Sequence, residues 1–218
     1  MSPRQAAKPT ERPLIALLCL TGLRPGEAYS LDWSAVDLEA GYLRVIRSWD
    51  HRGQVFVAPK TKAGERTVPL SGWLVSELKA HRERTTSAGL VFANKNGKPL
   101  NPSNVCRDIW LPLRKRAGVR ALDLYSLRHT FASLGRTAGE SASNLARMMG
   151  HAKSTLVDTV YAHTMQSGIS SVAENVTTRA LGTKPQLRVI NGGNLRDVRQ
   201  PLDHSPESAT VTEFKNAK

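Results

Sequence analysis

The first apolar segment of the chain has the pattern of a buried helix. Leucine, isoleucine and alanine follow one another almost without interruption from Leu14 to Leu20, and Gly22 ends the run. A second, short helix is expected to begin at Pro25, because proline is favoured in the first turn of a helix. The polar stretch ahead of these elements, residues 1–11, predicts a flexible lead.

Three short runs with the composition of β-strands come next, separated by turn-forming residues. They cover Tyr42–Ile46, Val55–Val57 and Arg66–Leu70. The segments Asp50-His-Arg-Gly and Thr61-Lys-Ala-Gly lie in the intervals between them and are typical of turns. The pattern predicts a small antiparallel meander.

From Ser71 onward the spacing of apolar residues becomes helical. Trp73, Leu74 and Leu78 share one face, and a later helix begins at Asn101-Pro102 and stops at Gly118. Four more helices are predicted, at Ser126–Gly135, Ser141–Met149, Thr155–Ala162 and Gly168–Ala180. The predicted fold class is mainly α with a small three-stranded antiparallel sheet (α+β), in one domain over residues 12–181.

The charge of the chain lies mostly on this domain. Residues 182–218 are rich in Gly, Pro, Asn and Ser without a lasting apolar period, which predicts a flexible tail. The 218 residues include 31 Lys and Arg against 18 Asp and Glu, a formal net charge of +13. Six of those cations and four of those anions are in the tail, so that +11 remains on residues 1–181. A body this basic indicates a polyanionic partner, with nucleic acid as the first candidate.

The sequence lacks the features of several other classes of protein. The apolar run that ends at Leu20 is too short to cross a bilayer and is not followed by a signal cleavage site. Cys19 and Cys106 have neither the spacing of a disulfide framework nor that of a zinc site. A P-loop, a carboxylate cluster suited to two metals and a Gly-x-Ser-x-Gly motif are all missing from the sequence. We therefore expect a cytoplasmic protein with no cofactor, no metal and no membrane partner.

Four segments carry the candidate chemistry. They read Thr21-Gly-Leu-Arg-Pro-Gly-Glu27, Pro59-Lys-Thr-Lys-Ala-Gly-Glu-Arg-Thr-Val-Pro-Leu70, Tyr125-Ser-Leu-Arg-His-Thr-Phe-Ala-Ser133, and Met149-Gly-His-Ala-Lys153 followed by Tyr161-Ala-His163. Each alone has a structural explanation, such as a helix cap at Arg24 or a solvated hairpin charge at Lys60. Together, in this order and spacing, they resemble the boxes of the tyrosine recombinase (phage integrase) family.

This resemblance covers residues 14–176 and implies the catalytic fold of the DNA breaking-rejoining enzymes. It implies two arginines that bind a DNA phosphate, a lysine in a β-hairpin, a late histidine and a tyrosine nucleophile. Guanidiniums suit this task because each offers paired N–H donors to one phosphate. The implied catalytic residues are Arg24, Lys60, Arg128, His151 and Tyr161.

Further residues in the same segments are expected to assist. Lys62 competes with Lys60 for the hairpin role, and the wording Pro-Lys-Thr favours Lys60. Glu27 is expected to support Arg24, and His129 to form structural hydrogen bonds. Tyr125 stands where the family most often has the first histidine of His-x-x-Arg-His. A phenol can donate a hydrogen bond to phosphate, but it cannot act as the neutral base that an imidazole is.

The activity implied by the resemblance is site-specific recombination of double-stranded DNA through a 3′-phosphotyrosyl intermediate. The implied partners are further copies of the chain on DNA and accessory DNA-binding proteins. The apolar spacing of Ile169, Val172 and Val176 fits a helix that packs either on a neighbouring copy or on its own body. The sequence is expected to lack the N-terminal core-binding domain of the family. Two alternatives therefore stay open, a truncated remnant that binds DNA without strand exchange and a relaxing topoisomerase of the related tyrosine type.

Overall fold

The described part of the chain is mainly helical, with two small antiparallel sheets. A computed structural model describes residues 6–59, 64–85, 89–150 and 165–182, with the backbone alone for residues 165–170. Its helices are α1 (Arg12–Thr21), α2 (Pro25–Tyr29), α3 (Gly72–Arg84), α4 (Pro102–Asn104), α5 (Leu111–Ala117), α6 (Ser126–Thr137), α7 (Ala142–Met149) and α8 (Met165–Leu181). Its strands are β1 (Val36–Asp37), β2 (Tyr42–Val45), β3 (Ser48–Asp50), β4 (Val55–Val57) and β5 (Arg66–Pro69). A 3₁₀ turn, Trp33–Ala35, precedes β1, and a π-helical segment, Val105–Trp110, joins α4 to α5.

Helix α1 lies at the centre of the core, as its apolar sequence predicts. Pro13 occupies the first turn, where its missing N–H loses no helical hydrogen bond, and Gly22 ends the helix in the left-handed conformation. A helix that is apolar on nearly every face must be covered on all sides, and α2, α3, α6 and α8 contact it. Burial of each leucine stabilises the fold by about 1.5–3 kcal/mol. The buried apolar residues of α1 are Pro13, Leu14, Ile15, Ala16, Leu17, Leu18 and Leu20.

The predicted three-stranded antiparallel sheet is present, but one of its strands differs. β2 lies between β1 and β5, with Leu43 opposite both Val36 and Val68. The run Val55–Val57, expected in this sheet, pairs instead with β3 in a separate two-stranded ribbon. The reason lies in burial, because Leu43 and Val68 are completely buried whereas all three residues of β4 are exposed. β1 is the third strand of this sheet. A tight turn joins it to β2, and in this turn the Asp37 carboxylate accepts the backbone N–H groups of Glu39 and Ala40.

Three helices after the sheets, α3, α4 and α7, begin at polar caps. The described helices confirm the predicted segments to which they correspond, with ends shifted by no more than three residues. Side-chain oxygens of the three cap residues accept backbone N–H groups of the first turn, which otherwise have no partner. These cap residues are Ser71 for α3, Asn101 for α4 and Ser141 for α7. Of the described helices, none is long and apolar enough to cross a membrane. The predicted helix Thr155–Ala162 and, except for Gly182, the predicted tail of residues 182–218 lie outside the described residues.

Residues 6–11 are held against the body of the protein. Ala6 and Ala7 are buried beside Leu113 of α5. Arg116 donates to the carbonyl of Ala6 at 2.9 Å and forms an ion pair with the buried Glu11. The flexible lead predicted for residues 1–11 therefore does not extend over residues 6–11, because two small apolar side chains and a buried carboxylate anchor them.

Helix α8 packs on the body of its own chain. Val172 and Val176 are completely buried in the main core. The hydroxyl of Thr177 donates to Ser71 Oγ at 2.7 Å, and the backbone N–H of Gly72 donates to a carboxylate oxygen of Glu174 at 2.7 Å. Of the two arrangements that the sequence left open for this helix, the structure contains the intramolecular one.

Candidate active site

The Thr-Gly-Leu-Arg turn between α1 and α2 is built around Gly22. The hydroxyl of Thr21 donates back to the Leu17 carbonyl at 2.5 Å, which closes the last turn of α1. Gly22 has a φ of +66°, and a Cβ at this position would lie 2.6 Å from Cδ1 of Phe131 in α6. Glycine therefore serves both the left-handed turn and the close approach of α6. The turn brings Arg24 to the position that begins α2, in an extended conformation.

The carboxylate of Glu27 collects four hydrogen bonds from two arginines. Its Oε2 accepts the backbone N–H of Arg24 at 2.7 Å, and its Oε1 accepts Nη1 of the same residue at 3.1 Å. Arg66 adds a forked pair, with Nη1 donating to Oε1 at 3.1 Å and Nη2 to Oε2 at 2.9 Å. Burial alone would raise the pKa of Glu27, but the hydrogen bonds and charge of Arg66, and then those of Arg24, outweigh it and lower the pKa. Glu27 is thus an ionised anchor between two cations.

Arg66 joins the first and second candidate segments to the last turn of α7, directly before the fourth segment, and it was not among the site residues predicted from the sequence. Besides Glu27, it reaches the Met148 carbonyl through Nε at 2.7 Å and the Gly64 carbonyl through Nη1 at 3.0 Å. Its side chain is only 7% exposed. The sequence contained one signal for Arg66, namely a cation at the first position of the strand-like run Arg-Thr-Val-Pro in the hairpin segment.

Arg128 bridges the first and last segments from inside the protein. Its residue exposure is 2%, and its guanidinium donates to the carbonyl of Gly22 and, at 2.6 Å, to the carbonyl of Met149. Burial and then the positive charge of Arg24 lower the pKa of Arg128 to about 10. The guanidinium therefore stays charged at neutral pH, and its partners are backbone dipoles at the ends of α1 and α7.

Tyr125 and His129 lie on the open side of α6, one turn apart. Their rings meet edge to face with centroids 5.5 Å apart. Tyr125 is 41% exposed, and His129 is exposed as well. Tyr125 lies three residues before Arg128, at the start of the same helix. This arrangement is compatible with donation from Tyr125 to an anion beside Arg128.

Four of the residues that the sequence proposes for this site lie outside the described residues. Lys60 and Lys62 fall between Pro59 and Gly64, and His151 and Tyr161 fall after Gly150. The described flanks lead into the cluster, since Gly64 and the last turn of α7 are both held by Arg66. The assignment of these four residues to the site stays a prediction.

The described side chains form a strongly cationic cluster. Arg24 and Arg66 bind the carboxylate of Glu27, and the charges of all three act on the pKa of Arg128, so that these four described side chains carry a formal charge of +2. Confined excess positive charge is unfavourable in a poorly solvated place and is relieved when an anion binds. Arg24, with its side chain 41% exposed, is the arginine of the cluster that is most open to solvent. The arrangement suits a phosphate-sized anion and would repel a metal cation.

Comparison with known proteins finds a tyrosine recombinase and a prophage integrase among the relatives. Over 181 residues the chain is 28% identical to the tyrosine recombinase XerC-like protein of Caldanaerobacter subterraneus subsp. tengcongensis, covering 72% of this chain and 46% of the relative. It is 34% identical over 165 residues to the prophage integrase IntR of Escherichia coli (strain K12), covering 65% of this chain and 40% of the relative. The chain thus spans less than half the length of these two relatives.

Solved structures share the fold at lower sequence identity. The XerA recombinase matches with a TM-score of 0.56 and 22% identity, over 79% of this chain and 60% of that one. The Tn1549 transposon integrase in complex with transposon right end DNA matches with a TM-score of 0.56 and 22% identity, over 75% and 57%. The fold expected from the four segments is therefore confirmed. A family model described as the phage integrase family matches residues 2–167, most of the chain, and the protein belongs to that family.

Proposed function

We propose that this chain is the catalytic part of a site-specific DNA recombinase of the tyrosine type, which cuts and rejoins double-stranded DNA. The observation that carries the proposal is the cationic cluster, in which Arg24 and Arg66 bind one carboxylate and Arg128, from a distant segment, lies within the range of their charges. A phosphodiester is the anion that both the family relationship and this charge favour. The integrase and recombinase names of the relatives, and the DNA in one related structure, point the same way.

The proposed reaction is a transesterification at phosphorus. The phenolic oxygen of Tyr161 attacks the scissile phosphate as its proton passes to a base, for which His151 is the proposed acceptor. The bond from phosphorus to the 5′-oxygen breaks, and a 3′-phosphotyrosyl link remains. The leaving 5′-oxygen takes a proton, for which Lys60 is the proposed donor and Lys62 the alternative. Attack by a 5′-hydroxyl reverses these steps and rejoins DNA, so that no ATP, metal or other cofactor is required.

The arginines would act on the charge of the transition state. Negative charge grows on the non-bridging oxygens as the tyrosine attacks, and fixed guanidiniums stabilise it more than they stabilise the ground state. Loss of one such donor typically lowers the rate about 10²- to 10³-fold. His151 would assist the proton transfers. Tyr125 would donate a hydrogen bond to the phosphate.

Binding to duplex DNA would rest mainly on phosphate contacts, since +11 of the formal charge lies on residues 1–181. Such contacts position a protein on DNA, whereas contacts with base edges select the site. We propose that several copies assemble on DNA for strand exchange, together with accessory DNA-binding proteins, and that the protein acts in the cytoplasm.

Covalent trapping on nicked duplex DNA tests the proposal. The full chain should form a denaturant-stable, protease-sensitive adduct with the 3′ end, without metal or nucleotide. Tyr161→Phe should abolish the adduct and leave DNA binding nearly unchanged. Tyr42→Phe is the matched control, because Tyr42 lies on β2 and belongs to none of the four segments. An adduct that persists in Tyr161→Phe would contradict the assignment, and binding without any adduct would favour the DNA-binding remnant.

A further inference from the structure

The Glu27 carboxylate is divided unequally between its two arginines. Arg66 is nearly as buried as Glu27, at 7% and 6% side-chain exposure, and grips both carboxylate oxygens with its fork. Arg24 is 41% exposed and offers the carboxylate one guanidinium nitrogen, Nη1. Its second contact with Glu27 comes from the backbone and involves no side-chain charge. The ion pair with the better geometry and the weaker screening by solvent is therefore Arg66 with Glu27.

This unequal pairing of Glu27 with its two arginines determines how much positive charge Arg24 can offer to a bound anion. With Arg24 and Glu27 alone, the two side chains would form a neutral pair, and a phosphate would compete with the carboxylate for the same guanidinium. Arg66 supplies a second full charge to Glu27, so that the three side chains keep a net charge of +1 on the side where Arg24 is exposed. Lysine could not replace it, because an ammonium has no planar fork for both oxygens.

We propose that Arg66 is a positioning residue for Arg24, which satisfies the charge of Glu27 and thereby frees the Arg24 guanidinium to hold a DNA phosphate. The inference rests on the proposed function for the identity of the anion. We assign Arg66 no contact with substrate, because its side chain is 7% exposed and four of its five N–H groups donate to Glu27, Met148 and Gly64.

The first test measures DNA binding and needs no catalysis. For duplex DNA, log affinity falls with log salt by about 0.9 for each phosphate contact. Arg66→Gln returns Arg24 to a neutral pair with Glu27, so the slope should become smaller by about 0.9, the value of one contact. Lys79→Gln is the control, since Lys79 lies on α3 and its loss breaks an ion pair with the exposed Glu39, and it should leave the slope unchanged.

The double variant Glu27→Gln/Arg66→Gln separates charge from structure. Without the carboxylate, Arg24 needs no second cation, so the double variant should recover the slope of the unmodified chain. A purely structural role of Arg66 predicts no recovery. If Arg66→Gln does not fold, as thermal unfolding would show, Glu27→Gln is compared with the double variant, and equal slopes are expected.

Adduct formation supplies the second measurement. Arg66→Gln should slow formation of the covalent adduct about 10²- to 10³-fold, the range for loss of one donor to the transition state. The double variant should regain part of that loss, whereas Arg66→Lys should not.

The outcomes distinguish this inference from the proposed function. A slope unchanged in Arg66→Gln, or not recovered in the double variant, overturns the inference even if the chain cleaves DNA. The expected slopes in a chain that forms no adduct support the inference and overturn the proposed reaction. A chain that does not bind DNA overturns both.

Discussion

The carbonyl oxygen of Gly22 accepts a hydrogen bond from the guanidinium of Arg128, which lies 106 residues later in the chain. The same guanidinium holds the Met149 carbonyl at the end of α7. One buried side chain therefore connects the turn that carries Arg24 with the helix that leads to His151. Stability and active-site geometry therefore depend on the same contacts.

Gly22→Ala should destabilise the protein more than the same change at another left-handed glycine. A residue with a Cβ pays about 1–2 kcal/mol for this backbone conformation. At Gly22 the new Cβ would also lie 2.6 Å from Phe131 Cδ1, whereas at Gly118, with the same φ of +66°, it meets nothing within 4 Å. We expect a loss of about 2–4 kcal/mol for Gly22→Ala and about 1–2 kcal/mol for Gly118→Ala, measured by urea unfolding. Equal losses would contradict the packing role of Gly22.

Arg128→Lys should lower both stability and activity, although it keeps the charge. An ammonium cannot reach the Gly22 and Met149 carbonyls in the geometry of the fork, and a buried carbonyl without a partner costs about 1–3 kcal/mol. We expect adduct formation to fall about 10²- to 10³-fold as well. Arg136→Lys, at an exposed position of the same helix, should change neither quantity. An unaltered unfolding midpoint in Arg128→Lys would contradict the bridging role.

Glu27 should make the stability of the protein depend on acid pH. Its pKa in the folded chain is lowered from an ordinary value of 4.5, so the ionised form stabilises the fold above pH 4.5. That stabilisation is lost as the pH falls through the lowered pKa. Glu27→Gln should therefore lose less stability than the unmodified chain between pH 7 and pH 3, in urea unfolding at each pH. The exposed Glu83→Gln is the control, and identical pH profiles for Glu27→Gln and the unmodified chain would refute the prediction.

Val176→Thr should weaken the docking of α8 on its own chain. The substitution keeps the shape of the side chain but buries a hydroxyl at a completely buried position, which costs about 1–3 kcal/mol without a partner. Ala180→Ser, at an exposed position of the same helix, should change stability by less than about 0.5 kcal/mol. Urea unfolding checks both values, and sedimentation shows whether Val176→Thr also alters self-association. Equal small effects would mean that α8 does not depend on this contact.

The sequence alone was sufficient for most of the described helices, for three of the five described strands (β2, β4 and β5) and for the family. These features depend on local information, namely the apolar run that ends at Gly22, the caps at Ser71 and Ser141, and the wording of four short segments. A helix repeats every 3.6 residues and a cap acts within one turn, so the responsible residues are neighbours in the chain. For the same reason Arg24 and Arg128 could be selected as site residues from their motifs.

Tertiary structure decided the features that depend on contacts between distant residues. Arg66 meets Glu27 across 39 positions and the Met148 carbonyl across 82, and no local pattern records either partner. β4 pairs outside the predicted meander, because the burial of a strand depends on which distant elements pack against it. Ala6 is held by residues more than a hundred positions away in the chain. By its apolar spacing, Val176 could pack on its own chain or on a neighbouring copy. The contacts of α8 with α1 and α6 of the same chain are what favour the intramolecular arrangement. Hydrogen bonds and burial act through space, whereas a motif describes only residues that are adjacent in sequence.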